Sequence, residues 1–211
     1  LDASSAEQQW VINSYLLTIA SLILIGGTLA DRFGRLRIYR IGVIGFAGAS
    51  LLCAIAPTIE VLIAARLLQG AAGALLTPGS LAIIEATLRS EDRGRGVGQW
   101  SGLVGVAGAV GPLVGGLLVD LSWRWVFLIN LPVALAVLVL MVRLPETSDA
   151  DAQGSHLDFS GAVLAILALG GVSYGLIQGP GGLDAPTLAA IVVAVVALGG
   201  LILIEPRRAR P

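Results

Sequence analysis

Apolar residues fill seven long runs of the chain, at positions 10–29, 38–56, 61–88, 97–119, 125–142, 159–177 and 187–204, with short polar or charged connections between them. Each run holds 18 to 28 residues. A helix rises about 1.5 Å per residue, so about 20 residues cross a hydrocarbon core of about 30 Å, and the pattern predicts seven membrane-spanning helices. A membrane barrel is excluded, because its strands alternate polar and apolar over about 10 residues, whereas these runs are apolar on every side. The predicted fold class is therefore an all-α polytopic membrane protein. Composition supports this: 56% of the residues are hydrophobic and 13% charged, against about 25% charged in a soluble domain. The 28 glycines suit close helix packing in lipid.

The connections set the expected orientation, since arginine is retained on the cytoplasmic side during insertion. All 13 basic residues are arginine. Alternate connections carry Arg32, Arg35, Arg37, Arg40, Arg89, Arg93, Arg95, Arg143, Arg207, Arg208 and Arg210 on one side, and only Arg124 on the other. This eleven-to-one split predicts Leu1 outside and Pro211 in the cytoplasm of a bacterial plasma (inner) membrane. With a formal net charge of -1, nucleic acid is not an expected partner; the lipid bilayer is. Positions 1–9 lack the basic segment and small-residue cleavage site of a signal peptide. The chain starts at Leu1 and its only methionine is Met141, from which an incomplete chain is expected. The longest connection, 144–158, is acidic and reads as a cytoplasmic linker, separating five helices in 1–143 from two helices and a tail in 159–211. His156 in that linker reads as a solvated residue, and Cys53 as a small core residue.

Several chemistries are excluded by residue type. A phosphate-cradling loop needs lysine, which is absent, and the single histidine cannot form a zinc-protease helix. The turn-like glycines at 96–102 open an apolar run rather than joining a strand to a soluble helix. No enzymatic activity, cofactor or metal site is expected.

The first arginine-rich connection reads Gly27-Thr28-Leu29-Ala30-Asp31-Arg32-Phe33-Gly34-Arg35. Its spacing resembles the signature between the second and third helices of the major facilitator superfamily. The resemblance implies a gate motif of Gly27, Asp31, Arg32, Gly34 and Arg35 that latches the cytoplasmic side. Asp31 is expected to accept hydrogen bonds from the N-terminus of a neighbouring helix, and Arg35 to pair with nearby acids. A tight turn with topology-setting arginines is the plainer alternative.

In the third run, Arg66-Leu67-Leu68-Gln69-Gly70-Ala71-Ala72-Gly73 is similar to a second family pattern, with Ala72 and Gly73 transposed. An arginine at the bilayer centre costs about 2.5 to 3.5 kcal/mol on insertion scales, so Arg66 needs a polar interior and a partner. No acid of this chain lies mid-span, and the acid is expected on a first helix outside the chain. Snorkelling to the outer surface is the alternative. Gln69, Asn13 and Tyr15 are further candidates for the proton-coupling cavity, although ordinary interhelical hydrogen bonding would also explain Asn13 and Tyr15.

The fourth run places Gly98, Gly102, Gly105 and Gly108 on one helical arc, followed by Gly111-Pro112-Leu113-Val114-Gly115-Gly116. This resembles the family's antiporter motif, in which proline bends the helix and the glycine face admits a neighbour at close range. Trp123-Arg124-Trp125-Val126-Phe127-Leu128-Ile129-Asn130-Leu131-Pro132 resembles the start of helix six in the fourteen-helix drug:proton antiporter branch. The flanks Asp158-Phe159-Ser160-Gly161 and Glu205-Pro206-Arg207 look like those of that branch's two extra central helices. The resemblance implies helices two to eight of a proton-coupled multidrug exporter. Its first helix and C-terminal lobe would be the missing partners, with protons and an amphiphilic or cationic drug-like small molecule as substrates. A nutrient symporter of the same family and a non-transporting membrane scaffold are the competing readings.

Overall fold

A computed structural model describes residues 1, 3–144, 159–179, 182 and 184–208. These form α1 (Ser5–Phe33), α2 (Arg35–Ile55), α3 (Ile59–Thr87), α4 (Ser90–Leu121), α5 (Trp125–Leu128), α6 (Asn130–Met141), α7 (Phe159–Gln178) and α8 (Ala185–Arg208). No strand occurs among the described residues, and the fold is the all-α membrane bundle that the apolar runs predict. Four helices are long and apolar enough to cross a membrane: Ser5–Phe33, Arg35–Ile55, Ile59–Ile84 and Ser90–Leu121. Shorter apolar helices occupy Trp125–Met141, Val163–Gln178 and Ala185–Leu201. The expected acidic linker, with His156, falls almost wholly outside the described residues.

Helix ends depart from the apolar runs where local hydrogen bonding outweighs hydrophobicity. α1 begins five residues before its run because Ser4 and Glu7 form a reciprocal cap: the Ser4 hydroxyl accepts from the Glu7 amide (3.3 Å) and Glu7 Oε2 accepts from the Ser4 amide (2.7 Å). α4 likewise gains two polar turns, with Glu91 and Asp92 at the positive end of its dipole. The start of α8 is capped by Asp184, whose Oδ1 accepts from the Thr187 amide at 3.0 Å. That bonding with Thr187 holds the Asp184 carboxyl below its ordinary range. Proline does not end every helix it enters; α3 runs through Pro78, α4 through Pro112 and α8 through Pro206.

α3 packs against both α1 and α2, α6 packs on α2, and the α7–α8 pair meets α1 through α7, where the Trp10 and Tyr174 rings lie tilted at 48° with centroids 6.0 Å apart. Two apolar clusters hold α2 to its neighbours. One gathers Leu36, Val43, Ala134 and Met141, with Tyr39 and Leu76 packed against it. The other gathers Cys53, Ala56, Leu62 and Ala65, with Val11, Trp123 and Phe127 packed against it. Along α2 and α3, Ser50 and Gln69 fall between these clusters. A polar layer therefore sits at mid-height in an otherwise apolar stack.

Candidate functional site

Close approach of α1 to α3 builds the site. Gly70 lies one turn beyond Arg66 on the same face of α3, and a β-carbon there would come 2.6 Å from the Tyr15 carbonyl oxygen and 2.8 Å from Thr18 Cβ. Farther along, Pro78 supplies no N–H to the Ala74 carbonyl, and that carbonyl faces Gly26 so closely that any β-carbon would collide with it. The missing side chains at Gly26 and Gly70 let α1 lie directly on α3. The Tyr15 ring then comes under the Arg66 guanidinium, 4.0 Å from Cζ to ring centroid.

Arg66 points into the bundle. Its Nε donates to the Val11 carbonyl of α1 at 3.0 Å, and Nη1 donates to Gln69 Oε1 at 2.6 Å. The Phe127 ring of α5 lies 5.9 Å away. These partners lie on α1, α3 and α5. A guanidinium has five N–H donors; two reach these acceptors, and three find no protein acceptor among the described residues. No acid pairs with Arg66 among the described residues.

Gln69 carries the contact inward. Because Arg66 can only donate, Gln69 must present its oxygen to the guanidinium, which turns its Nε2 to Ser50 Oγ at 2.7 Å. The same Ser50 oxygen accepts from Asn130 Nδ2 at 3.3 Å, and the Cys53 thiol approaches Gln69 Oε1 at 3.9 Å. Gln69 is 1% exposed and Ser50 and Cys53 are both 0%, so these polar atoms depend on one another rather than on solvent. Residue type and spacing point to Arg66, Gln69 and Tyr15 but not to Ser50, Asn130 or the Val11 carbonyl as their partners. Asn13 lies on the same helix as Tyr15, yet it contributes no hydrogen bond to this network among the described residues.

The predicted gate motif forms the α1–α2 junction. Gly34 caps both helices with φ at +102°, a conformation open to glycine and strained for residues with a β-carbon. Across this turn Arg35 Nε donates to Asp31 Oδ1 at 2.9 Å. Asp31, in the last turn of α1, thus has Arg35, the first residue of α2, as a side-chain partner four residues away. Arg32 lies over the Phe33 ring at 5.4 Å, and Gly27 faces Pro78 at ordinary contact distance. Arg40, counted above only as a topology signal, donates to the Met141 carbonyl at 2.8 Å and so satisfies the C-terminal end of α6.

The antiporter-like helix α4 is arranged differently. None of its described residues is buried. Around Gly98, Gly102, Gly105, Gly108, Gly111, Gly115 and Gly116 no described residue comes within 4 Å of an added β-carbon.

Residues 1–207 match the family model described as Major Facilitator Superfamily. A methylenomycin A resistance protein of Bacillus subtilis is 43% identical over 201 residues, which cover 93% of this chain and 43% of that protein. A protein of the same name from Streptomyces coelicolor is 40% identical, covering all of this chain and 45% of its own length. The tetracenomycin C resistance and export protein of Streptomyces glaucescens is 38% identical, with 40% of its length covered. The chain thus spans less than half the length of these curated relatives.

Proposed function

This chain belongs to the Major Facilitator Superfamily, and from that premise we propose that it supplies helices two to eight of a fourteen-helix exporter that moves amphiphilic or cationic drug-like molecules in exchange for protons. The names of its relatives, which speak of antibiotic resistance and export, support the substrate class. The proposed home is a bacterial plasma membrane, with Leu1 outside and Pro211 in the cytoplasm. Residues 1–143 would belong to the first lobe and 159–211 to two extra central helices, joined by a linker over 144–158.

One observation carries the coupling role: a guanidinium held inside a membrane bundle by neutral groups, with three N–H donors unfilled among the described residues. Neutral acceptors satisfy hydrogen bonds but leave the charge uncompensated, which favours an anion within reach. In this reading a carboxylate from a helix outside the chain alternates between ionised, when it pairs with Arg66, and protonated, when it lets go. Gln69 and Tyr15 hold the guanidinium in place, and the Asp31–Arg35 turn closes the cytoplasmic side. The glycine face of α4 receives a helix of the second lobe, and the lobes rock to expose the cavity to one side at a time. A proton falling through about 100 mV and one pH unit releases about 2.3 plus 1.4 kcal/mol, enough for roughly a 500-fold gradient of a neutral drug. For a monovalent cation exchanged one for one, only the pH contribution remains, about tenfold.

The test is drug-dependent proton movement in vesicles containing the full-length protein. Arg66→Ala abolishes it under this reading, and wild-type coupling in that variant overturns the role. Accumulation of drug on the acidic side of an imposed pH gradient identifies an exchanger; accumulation on the opposite side identifies a symporter. Asp31→Asn shifts the balance of inward- and outward-open forms if the turn is a gate, whereas unchanged transport and unchanged populations reject it.

A further inference from the structure

The polar layer connects the guanidinium to the α5–α6 segment, Trp125–Met141. Ile129 joins α5 to α6 with its backbone still helical (φ -58°, ψ -26°), and Asn130 follows it. Two residues on, Pro132 offers no N–H to the Leu128 carbonyl, so the helix is least constrained by its own backbone at this place. Asn130 sends Nδ2 80 positions back along the chain to Ser50 Oγ, the same atom that accepts from Gln69, which in turn accepts from Arg66. The titratable groups facing Arg66 are Tyr15 and Cys53, on α1 and α2.

From this geometry we infer that Asn130 is a positioning residue for Arg66, acting through Ser50 and Gln69 so that bending of the α5–α6 helix next to Pro132 and the setting of the intramembrane cation move together. The inference rests on the exporter reading above and deepens it. Its physical basis is the direction of each hydrogen bond. Ser50 Oγ is the common acceptor of the buried Gln69 amide and the half-buried Asn130 amide, and Gln69 has one orientation that serves both Arg66 and Ser50. Withdrawing Asn130, as a bend of the helix where Pro132 leaves the Leu128 carbonyl unbonded would, frees Ser50 to turn. Gln69 then loses its fixed acceptor, and Arg66 loses the constraint on Nη1. The hydroxyl rotor of Ser50 is the pivot, because it has no other means of fixing both amides.

The experiment uses the full-length protein in vesicles and measures drug efflux driven by a pH gradient for the unaltered protein, Asn130→Ala, Ser50→Ala and the double variant. Each single variant is expected to lower the maximal rate about tenfold with KM unchanged, and the double variant to be no worse than either single, because the same connection is cut once. Ser50→Thr keeps the acceptor oxygen and is expected to retain at least half the rate. If Ser50→Ala lowers the folded yield, Ser50→Cys replaces it, with similar size and a poor acceptor. An Asn130→Ala maximal rate equal to that of an active unaltered protein overturns this inference alone. A double variant that multiplies the two losses to about a hundredfold also overturns it, since the residues then act independently. An unaltered protein that moves no drug overturns the exporter reading and this inference together.

Discussion

Gly70 on α3 and Gly102 on α4 both sit inside long apolar helices, yet a β-carbon at Gly70 would meet α1 backbone at 2.6 Å, while at Gly102 nothing lies within 4 Å. Gly26 and Gly73 share the crowding of Gly70, the latter 3.0 Å from Ile19 Cδ1; Gly98, Gly105, Gly108 and Gly111 share the openness of Gly102. The same small residue therefore does two kinds of work. On α1 and α3 it closes a contact within the chain and so places Tyr15 under Arg66. On α4 it leaves a smooth surface with no neighbour among the described residues.

The largest effect that would break this comparison is expected at the crowded positions. Gly70→Val must displace backbone rather than a flexible side-chain end, so the cost is at or above the upper range for overpacking, about 3 kcal/mol. An SDS titration of the folded fraction should show Gly70→Val and Gly26→Leu losing the folded form at much lower detergent than wild type. Gly48→Ala on α2, with nothing among the described residues within 4 Å, is the control and should be as stable as wild type or slightly more so. Equal behaviour of all three would mean that the α1–α3 approach does not hold the bundle.

A smaller effect comes from what the crowding achieves. Tyr15→Leu keeps an apolar side chain but removes the ring 4.0 Å from the guanidinium, which should cost about 1 to 2 kcal/mol for a partly desolvated cation–π contact. Tyr15→Phe keeps the ring face and should cost less than half as much in the same titration. If both substitutions cost the same, the hydroxyl matters rather than the ring. Smaller still is Asp31→Asn. The paired side chains of Arg35 and Asp31 are 21% and 39% exposed, so solvent screens them and the loss should stay below about 1 kcal/mol, shrinking further in high salt.

These positions also mark where sequence reading succeeds and where it stops. Spans are legible because apolar runs of bilayer length have few alternatives, and Arg66 is legible because a charge in such a run demands an explanation. The i, i+4 spacing of Asp31 and Arg35 is visible in the sequence, but their mutual pairing depends on the Gly34 turn aiming both side chains the same way. Ser50 and Asn130 carry no such signal. They reach Gln69 and Ser50 from 19 and 80 residues away, and a serine or asparagine near an apolar run has no periodicity that names its partner. Glycine stripes are the hardest case, since crowded and open stripes have the same composition and only the neighbouring backbone separates them.

The smallest effect on stability is also the one that most sharpens the contrast between the two stripes. A glycine inside a helix is less favourable than alanine by about half a kcal/mol or slightly more, through the backbone freedom lost on ordering. At Gly70 that gain is overwhelmed by collision. At Gly108, where an added β-carbon meets open space, it is not, so Gly108→Ala in this 211-residue chain should resist SDS slightly better than wild type. The full-length protein is expected to respond in the opposite sense. If a helix of the second lobe lies on the α4 face, the added methyl group separates the two backbones, and drug-dependent proton flux should fall several-fold without loss of folded protein. A variant that is stabilised in the short chain and unimpaired in the long one would show that the α4 face meets lipid in both, and that its glycines do not serve lobe contact.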